Sequence, residues 1–584
     1  MKKLTVFASL TDAFGLRLDW AFVGVLLAST LLKLRHVGHR AITYWDEGFH
    51  ALVAKNLLKH PFKFILYEQP WLPYSYTDWG NNHIWLHKPP IAMWLIALSY
   101  AVLGVNTFAL RLPSVILSSG AVFLTYLIAT ELFDKRIGLI ATFWQGFNVC
   151  TFSLTHGYLY SDHIDITLLF WVEVACYLLV KAAKTGNFWY VVASGVAQGL
   201  AYLSKSYLGM VTFGIMGVLW FLRRIRFLDN SGCRLRFWHL PVQLMASILT
   251  VAPWAGYCLI FYRQEYLYEH KRVLDHLNTD VESWGATWDR PLFDYMVLIY
   301  PAIYTAILAA CVFLFVVALR HRKMGEIFVL AWVVGVIAPH SWALTKTPSA
   351  TTIAIPPLLI GFSVIIGRSL VSPETRFLGE NGFLKYKYTA IWLASMLAML
   401  VISGGKTNIP GRDDFDSLKK FAPYVESNFW IISRLVATGA IFVVLFVFLK
   451  KFPWSHYASL GLQLIAAGLT VFFAVQYVNE AKLVTDRNVN EPTYAVIGKI
   501  VGEKLPSNAC LLLDETDYGH HFFLMFHSGL SAYLLRDRDM HTSAEQARQA
   551  KAIPYLVTRK IYDYPLVFED INKTPYRVYL INEK

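Results

Sequence analysis

Windows of 17–25 uncharged, apolar residues recur along this 584-residue chain. Each is long enough to cross a hydrocarbon core of roughly 30 Å as a helix. A soluble fold with large buried helices is the alternative, but 56% hydrophobic against 16% charged residues leaves too little polar surface for one. The chain therefore reads as an α-helical polytopic membrane protein. Its net charge of +13 belongs to loops beside the membrane rather than to a nucleic-acid surface. Four of the six cysteines lie in apolar spans and none forms a CxxC pair, so neither a disulfide framework nor a zinc knuckle is indicated. The start MKKLTVFASLTDAFGLRLDW is basic and interrupted, so the first span is expected to act as an anchor rather than as a cleaved signal.

Thirteen spans are expected, near 18–36, 112–130, 137–159, 166–183, 187–204, 206–222, 237–262, 295–319, 327–345, 347–367, 388–405, 429–449 and 457–479. PPIAMWLIALSYAVLGVNTFAL at 89–110 could make a fourteenth. Charge decides between the two counts. If 89–110 does not cross, FDKR (133–136), KAAKTG (181–186), RRIRFLDNSGCRLR (223–236), RHRK (320–323), Arg368 to Lys387 and LKK (449–451) all share the side of the N-terminus. If it crosses, every one of them flips outside, against the positive-inside bias. So 89–110 is expected to lie in the interface or to re-enter, anchored by Trp94 and Tyr100.

Residues 37–111 then form one long outer loop with juxtamembrane helices. Residues 264–290 and the tail also lie outside. The expected division is a membrane domain, 1–479, and a small soluble α/β domain, 480–584. Its strands are predicted at 508–515, 531–537, 554–560 and 577–582, and its helices at 491–505 and 542–550.

The outer side collects the charges that carry chemistry. Asp46 and Glu47 precede GFHALVAKNLLKH, which reads as an amphipathic helix with Phe49, Leu52, Ala54, Leu57 and Leu58 on its apolar side. Either acid could serve as a general base or metal ligand, or could simply suit the positive helix end. Lys88 stands before two prolines; Pro89 forces it extended, which makes it a directed phosphate hook or else a snorkelling lysine. Asp162 and Asp165 sit one helical turn apart at a span's outer mouth, as site acids or as N-caps. Glu173 lies within that span, where an acid is a functional candidate by default. Lys205 and Lys346 occupy short outer turns, where the charge bias would not put them, and with Arg111 and Arg272 they extend the candidate anion site.

The stretches YWDEGFHALVAKNL, HKPPIAMWLIALSYAVLGVNTFALRLPSVI and DITLLFW resemble the GT-C type membrane glycosyltransferases. The nearest groups are the bacterial lipid A aminoarabinose transferases and the protein O-mannosyltransferases. The resemblance runs from about 18 to 370. It implies transfer of a sugar from a polyprenyl phosphate to a lipid, glycan or protein acceptor on the extracytoplasmic face of a bacterial inner membrane. Asp46 then matches the base or metal-binding acid, Lys88 the lysine near the donor phosphate, and Asp165, rather than Asp162, the second acid. His270 matches a loop histidine that can reach a metal, and His87 replaces the acid that usually precedes Lys-Pro-Pro. The resemblance thus admits a divalent metal ion with His87 and His270 as ligands. No GxxxxGK[ST] loop calls for a nucleotide. A secondary transporter of an anionic or lipid-linked substrate is the alternative. It would show internal repeats and midplane sites, whereas no repeat relates the halves and the acids gather at one surface.

Overall fold

The computed structural model describes residues 19–370, 456–486 and 493–582, apart from 44–45, 75, 79–81, 158–161, 229–231, 282–284, 287, 289–300, 515–519, 537 and 571. The helices, in chain order, are α1 (Trp20–Leu34), α2 (Asp46–Leu57), α3 (Pro90–Leu103), α4 (Thr107–Leu132), α5 (Lys135–Gly146), α6 (Val149–Thr155), α7 (Asp162–Thr185), α8 (Phe188–Lys205), α9 (Val211–Arg224), α10 (His239–Phe261), α11 (Arg263–Asn278), α12 (Pro301–His321), α13 (Met324–Trp342), α14 (Ile355–Leu370) and α15 (His456–Asp486). Among the described residues, seven helical windows are long and apolar enough to cross a membrane, or eight if the bent pair α5–α6 is one span. This is a polytopic helical membrane protein. The expected spans at 388–405 and 429–449, and the LKK loop, lie outside the described residues.

One of the seven windows, Phe188–Arg224, folds back on itself. Thr212 Oγ1 donates to Gln198 Oε1 at 2.5 Å, whereas a straight helix would hold these residues about 21 Å apart. The turn between α8 and α9 places Gly209 against the backbone of Ala201 and Tyr202, where a Cβ would come within 2.4 Å of the Tyr202 nitrogen.

The stretch 89–110 is not one helix. α3 has 14 residues, about 21 Å of rise and too short for the hydrocarbon core. It ends at Gly104, at φ 79°, and Asn106 caps α4 by accepting from the Ala109 nitrogen at 2.9 Å. α4 therefore starts at Thr107, five residues before the expected 112.

The described basic loops meet at one end of the bundle. Lys181 and Lys184 reach Glu131 at 3.0 and 2.9 Å, and Arg368 reaches Glu326 at 3.0 Å. Arg322 lies over Phe227 and Arg368 over Phe133. The opposite end carries α2, α3, α11 and the chain after α15.

α15 runs to Asp486, past the expected boundary at 480, and Arg35 holds that end at 3.0 Å. Beyond it lie α16 (Thr493–Lys504), α17 (His520–Ser528) and α18 (Met540–Gln549) around a five-stranded sheet. The strands β1 (Ala509–Leu513), β2 (Ser531–Leu534), β3 (Ile553–Thr558), β4 (Leu566–Glu569) and β5 (Arg577–Leu580) lie in the order β2-β1-β3-β5-β4. β1 pairs in parallel with β2 and β3, which requires crossovers, and α17 and α18 supply them.

This sheet shares one apolar core with the first outer loop. The Phe49 and Phe522 rings are 3.7 Å apart between centroids, Tyr67 stacks on Tyr533 at 4.6 Å, and Lys55 Nζ donates to the Phe526 carbonyl at 2.6 Å. α2 is consequently not amphipathic in place: it is buried nearly all round, while Leu58, expected on its apolar side, is 40% exposed. The tail supplies the second wall that a single apolar face could not.

Candidate active site

Asp46 and Glu47 open α2 and part company at once. Asp46 is half-buried, whereas Glu47 is fully buried. Arg111, in the first turns of α4, grips Glu47 with both edges of its fork: Nε donates to Oε1 at 2.7 Å and Nη2 to Oε2 at 2.9 Å. The Thr43 nitrogen and hydroxyl donate to Oε2 at 2.6 and 2.7 Å. Arg111 spends its other donors on the carbonyls of Val37 and Ala41, each at 2.9 Å. His163 Nε2 stands 3.7 Å from Glu47 Oε1. Burial pushes the Glu47 carboxyl up, but Arg111 and His163 together hold it well below the usual range. Gly157, at φ 65°, closes the clamp: a Cβ there would meet Glu47 Oε2 at 2.6 Å and Arg111 Nη2 at 2.8 Å. Neither Glu47 nor Arg111 is displayed to a substrate, contrary to their expected roles as site acid and phosphate binder.

Asp165 is fully buried on α7 and forms an ion pair with Lys205 at the end of α8. The Asp162 backbone begins α7. Lys346 is 2% exposed and turns its ammonium onto the carbonyls of Ala343 and Ser341 at the C-terminus of α13. It caps a helix, whose exposed carbonyls attract a cation, and does not stand free for a phosphate.

The remaining cations gather around an acid that sequence reasoning passed over. His87 Nδ1 lies 3.0 Å from Glu269 Oε2. Burial pushes the Glu269 carboxyl up, but His87, Arg272 and Lys88 hold it below the usual range. Lys88 is half-buried and has no hydrogen-bond or ion-pair partner among the described residues. His270 points elsewhere, its Nε2 3.4 Å from the Tyr202 hydroxyl and its Nδ1 3.1 Å from the Tyr266 carbonyl. The expected metal pair of His87 and His270 is thus not assembled; the partner of His87 is Glu269, one residue earlier. Among the described residues, no group of three or more His, Cys, Asp or Glu side chains could hold a metal ion. Two donors do not make a coordination shell.

A bridge of rings joins this cluster to the clamp. His163 lies 5.7 Å from His50, His50 lies 6.0 Å from Trp85, and Trp85 lies 6.0 Å from His87.

Solved structures match this architecture along nearly its whole length. ArnT from Cupriavidus metallidurans in the apo state superposes with a TM-score of 0.58 over 96% of both chains, at 15% identity. The same protein bound to undecaprenyl phosphate gives 0.56 over 96% of this chain and 97% of that one, at 16% identity. This chain has the ArnT fold.

The archaeal oligosaccharyltransferase AglB from Archaeoglobus fulgidus, at 11% identity, matches with a TM-score of 0.53 over 92% of this chain and 69% of its own. In sequence, residues 87–255 match the dolichyl-phosphate-mannose-protein mannosyltransferase family. That stretch begins at His87 and takes in Lys88, Arg111, Asp165 and Lys205. An undecaprenyl phosphate-α-4-amino-4-deoxy-L-arabinose arabinosyl transferase of Pseudomonas aeruginosa is 24% identical over 346 residues, 55% of this chain and 57% of that enzyme. A counterpart in Pseudomonas fluorescens is 25% identical over 439 residues, 71% of each chain. The chain therefore spans less than two thirds of the first of these relatives. It resembles the GT-C type glycosyltransferases that use polyprenyl-phosphate sugars, as its motifs do.

Proposed function

We propose that the chain transfers a sugar from a polyprenyl phosphate to a lipid, glycan or protein acceptor on the extracytoplasmic face of a bacterial inner membrane. The observation that carries this reading is Lys88. It is a partly exposed ammonium without a hydrogen-bonded partner, aimed by Pro89 and flanked by Arg272, at the same end of the bundle as Asp46. The donors in the relatives' names, undecaprenyl and dolichyl phosphates, carry the phosphate that such a site would hold. The positive-inside bias puts the basic loops in the cytoplasm and this end outside, with the sheet-bearing tail. Thirteen spans, two of them at 388–405 and 429–449, belong to the same proposal, as does a soluble lobe beginning after Asp486.

In the reaction, Asp46 takes the acceptor's proton while the acceptor oxygen attacks the anomeric carbon. The bond from that carbon to the phosphate oxygen breaks, and the electron pair leaves with the polyprenyl phosphate. Lys88 and Arg272 stabilise the charge that builds there. Glu47 and Arg111 act as positioning residues: their clamp fixes the first turn of α2 and so the direction of Asp46. Asp165 and Lys205 tie α7 to α8 behind the site. Lys346 braces α13. No step is routed through a metal ion.

The test is binding of a polyprenyl phosphate to the purified chain in nanodiscs. Lys88→Ala should weaken it by about one to two decades, the loss of one charge-assisted contact of 1.5–3 kcal/mol. Pro89→Ala should do part of the same harm by freeing the Lys88 backbone. Unchanged binding in both variants would make Lys88 a snorkelling anchor. Flux of an anionic lipid-linked substrate without bond cleavage would favour the transporter.

A further inference from the structure

Two ionisable side chains lie inside the bundle and take no part in the proposed reaction. Glu173, on α7, and Lys33, in the last turn of α1, are both fully buried. Glu173 Oε2 accepts from Thr125 Oγ1 of α4 at 2.7 Å. Its Oε1 has no hydrogen-bond partner among the described residues, and neither has Lys33 Nζ. Each charge lies close enough to act on the other, yet no ion pair within 4.0 Å joins them. Lys33 Nζ lies 5.7 Å from the centre of the Phe152 ring, whose face attracts a cation but cannot take up three N–H donors. His156, just beyond α6, borders the same space. It is fully buried with its ring turned towards the Lys33 backbone and stacked beside Phe152, and at least one ring nitrogen is left without a partner.

We infer that this space is an internal water site, in which ordered waters bridge Lys33 Nζ, Glu173 Oε1 and the His156 ring and so join α1 to α7 through the bundle core. Buried polar atoms in native proteins are bonded to protein or to water, and here the protein offers these atoms no partner. The site's chemistry selects the ligand. Lys33 Nζ offers N–H donors and Glu173 Oε1 an unsatisfied acceptor, while a neutral imidazole needs one of each. An anion would satisfy Lys33 but leave Glu173 Oε1 without a donor; a metal cation would do the reverse. Water both donates and accepts, and a buried water is held by two to four such partners. The site also underlies the clamp, because His156 is followed by Gly157, on which Glu47 and Arg111 close.

Radiolytic hydroxyl labelling of the full chain in nanodiscs tests this, since radicals formed from bound water oxidise the side chains around it. Phe152 and Phe328 are both fully buried, and Phe328 sits in the apolar core on α13. Phe152 should label about ten-fold faster than Phe328, because only Phe152 borders water. The Lys33→Met/Glu173→Leu double variant should bring Phe152 down to the Phe328 rate. Equal rates in the unsubstituted chain would overturn the inference and mean that the two ionisable side chains swing together in a dry core. So would fast Phe152 labelling that survives the double substitution. The first comparison needs no variant and does not depend on whether the second one folds.

Discussion

Replacing Arg111 with Met removes one half of a fully buried, bidentate ion pair and leaves Glu47 with hydrogen bonds from Thr43 and a 3.7 Å contact to His163. Removing a single partner from such a pair costs about 3–5 kcal/mol, because the surviving charge stays buried without its counter-ion. If the clamp is lost before the unfolding barrier, that cost enters the unfolding rate in full. Inactivation of the purified protein at a fixed temperature should then accelerate by about two to nearly four decades. The Arg111→Met/Glu47→Leu double variant should recover much of this, since apolar replacement of both partners is close to neutral. The clamp also fixes an acid limit. Glu47's folded pKa lies below its unfolded value of about 4.3. The stability it contributes is complete above roughly pH 5 and is lost as the pH falls through the folded value. The assay is the half-life of solubilised monomer at pH 7 and at mildly acid pH. An Arg111→Met protein with an unchanged half-life would show that the pair carries no structural weight.

Gly157→Ala should inactivate and destabilise the protein, because its Cβ would sit 2.6 Å from a carboxylate oxygen on a backbone at φ 65°; a stable, active Ala variant would mean that the turn has room to shift. Glu269→Gln should lower the donor concentration needed for half-maximal turnover and leave thermal stability nearly unchanged, read from donor titration, since it removes the negative charge that competes with the phosphate for Lys88 and Arg272 without emptying volume. Lys205→Met should destabilise by about 3–5 kcal/mol by stranding buried Asp165, and Lys205→Met/Asp165→Leu should restore stability, and turnover with it, as read from thermal inactivation and donor turnover.

The membrane class, the gathering of the described basic loops at one end of the bundle and the turn between α8 and α9 were legible because hydrophobic length and loop charge are local signals. The strands around Cys510, Ala532, Leu556 and Val578 were legible for the same reason. β4 was not: it is a short, exposed edge whose Leu566 and Val567 face solvent. Nor was α17, whose HHFFLMFHS run is apolar on every side because it lies between α2 and α16. Asp46, Asp165 and Lys88 could be picked out as residue types in costly or constrained positions. What sequence could not supply was pairing. Glu47 and Arg111 are 64 residues apart and look like two site residues until their distance is known. Glu269 stood beside His270, and only the rotation of α11 decides which of them faces His87. The sole advance signal was chemical: a histidine where an acid was expected before Lys-Pro-Pro favours an acid, not a second histidine, across from it.

In the proposed reaction, the carboxylate of Asp46 drives glycosyl transfer from a polyprenyl phosphate. The direct measurement is release of free polyprenyl phosphate, followed by mass spectrometry, from a polyprenyl-phosphate sugar supplied to the nanodisc-embedded chain with a panel of lipid, glycan and peptide acceptors. The unsubstituted chain should release it with at least one acceptor. Asp46→Asn, with the clamp at Glu47 intact and stability unchanged, should release almost none. Equal release by the Asn variant would reduce Asp46 to a helix cap, and no release by the unsubstituted chain with any donor and acceptor would rule out glycosyl transfer from a polyprenyl phosphate.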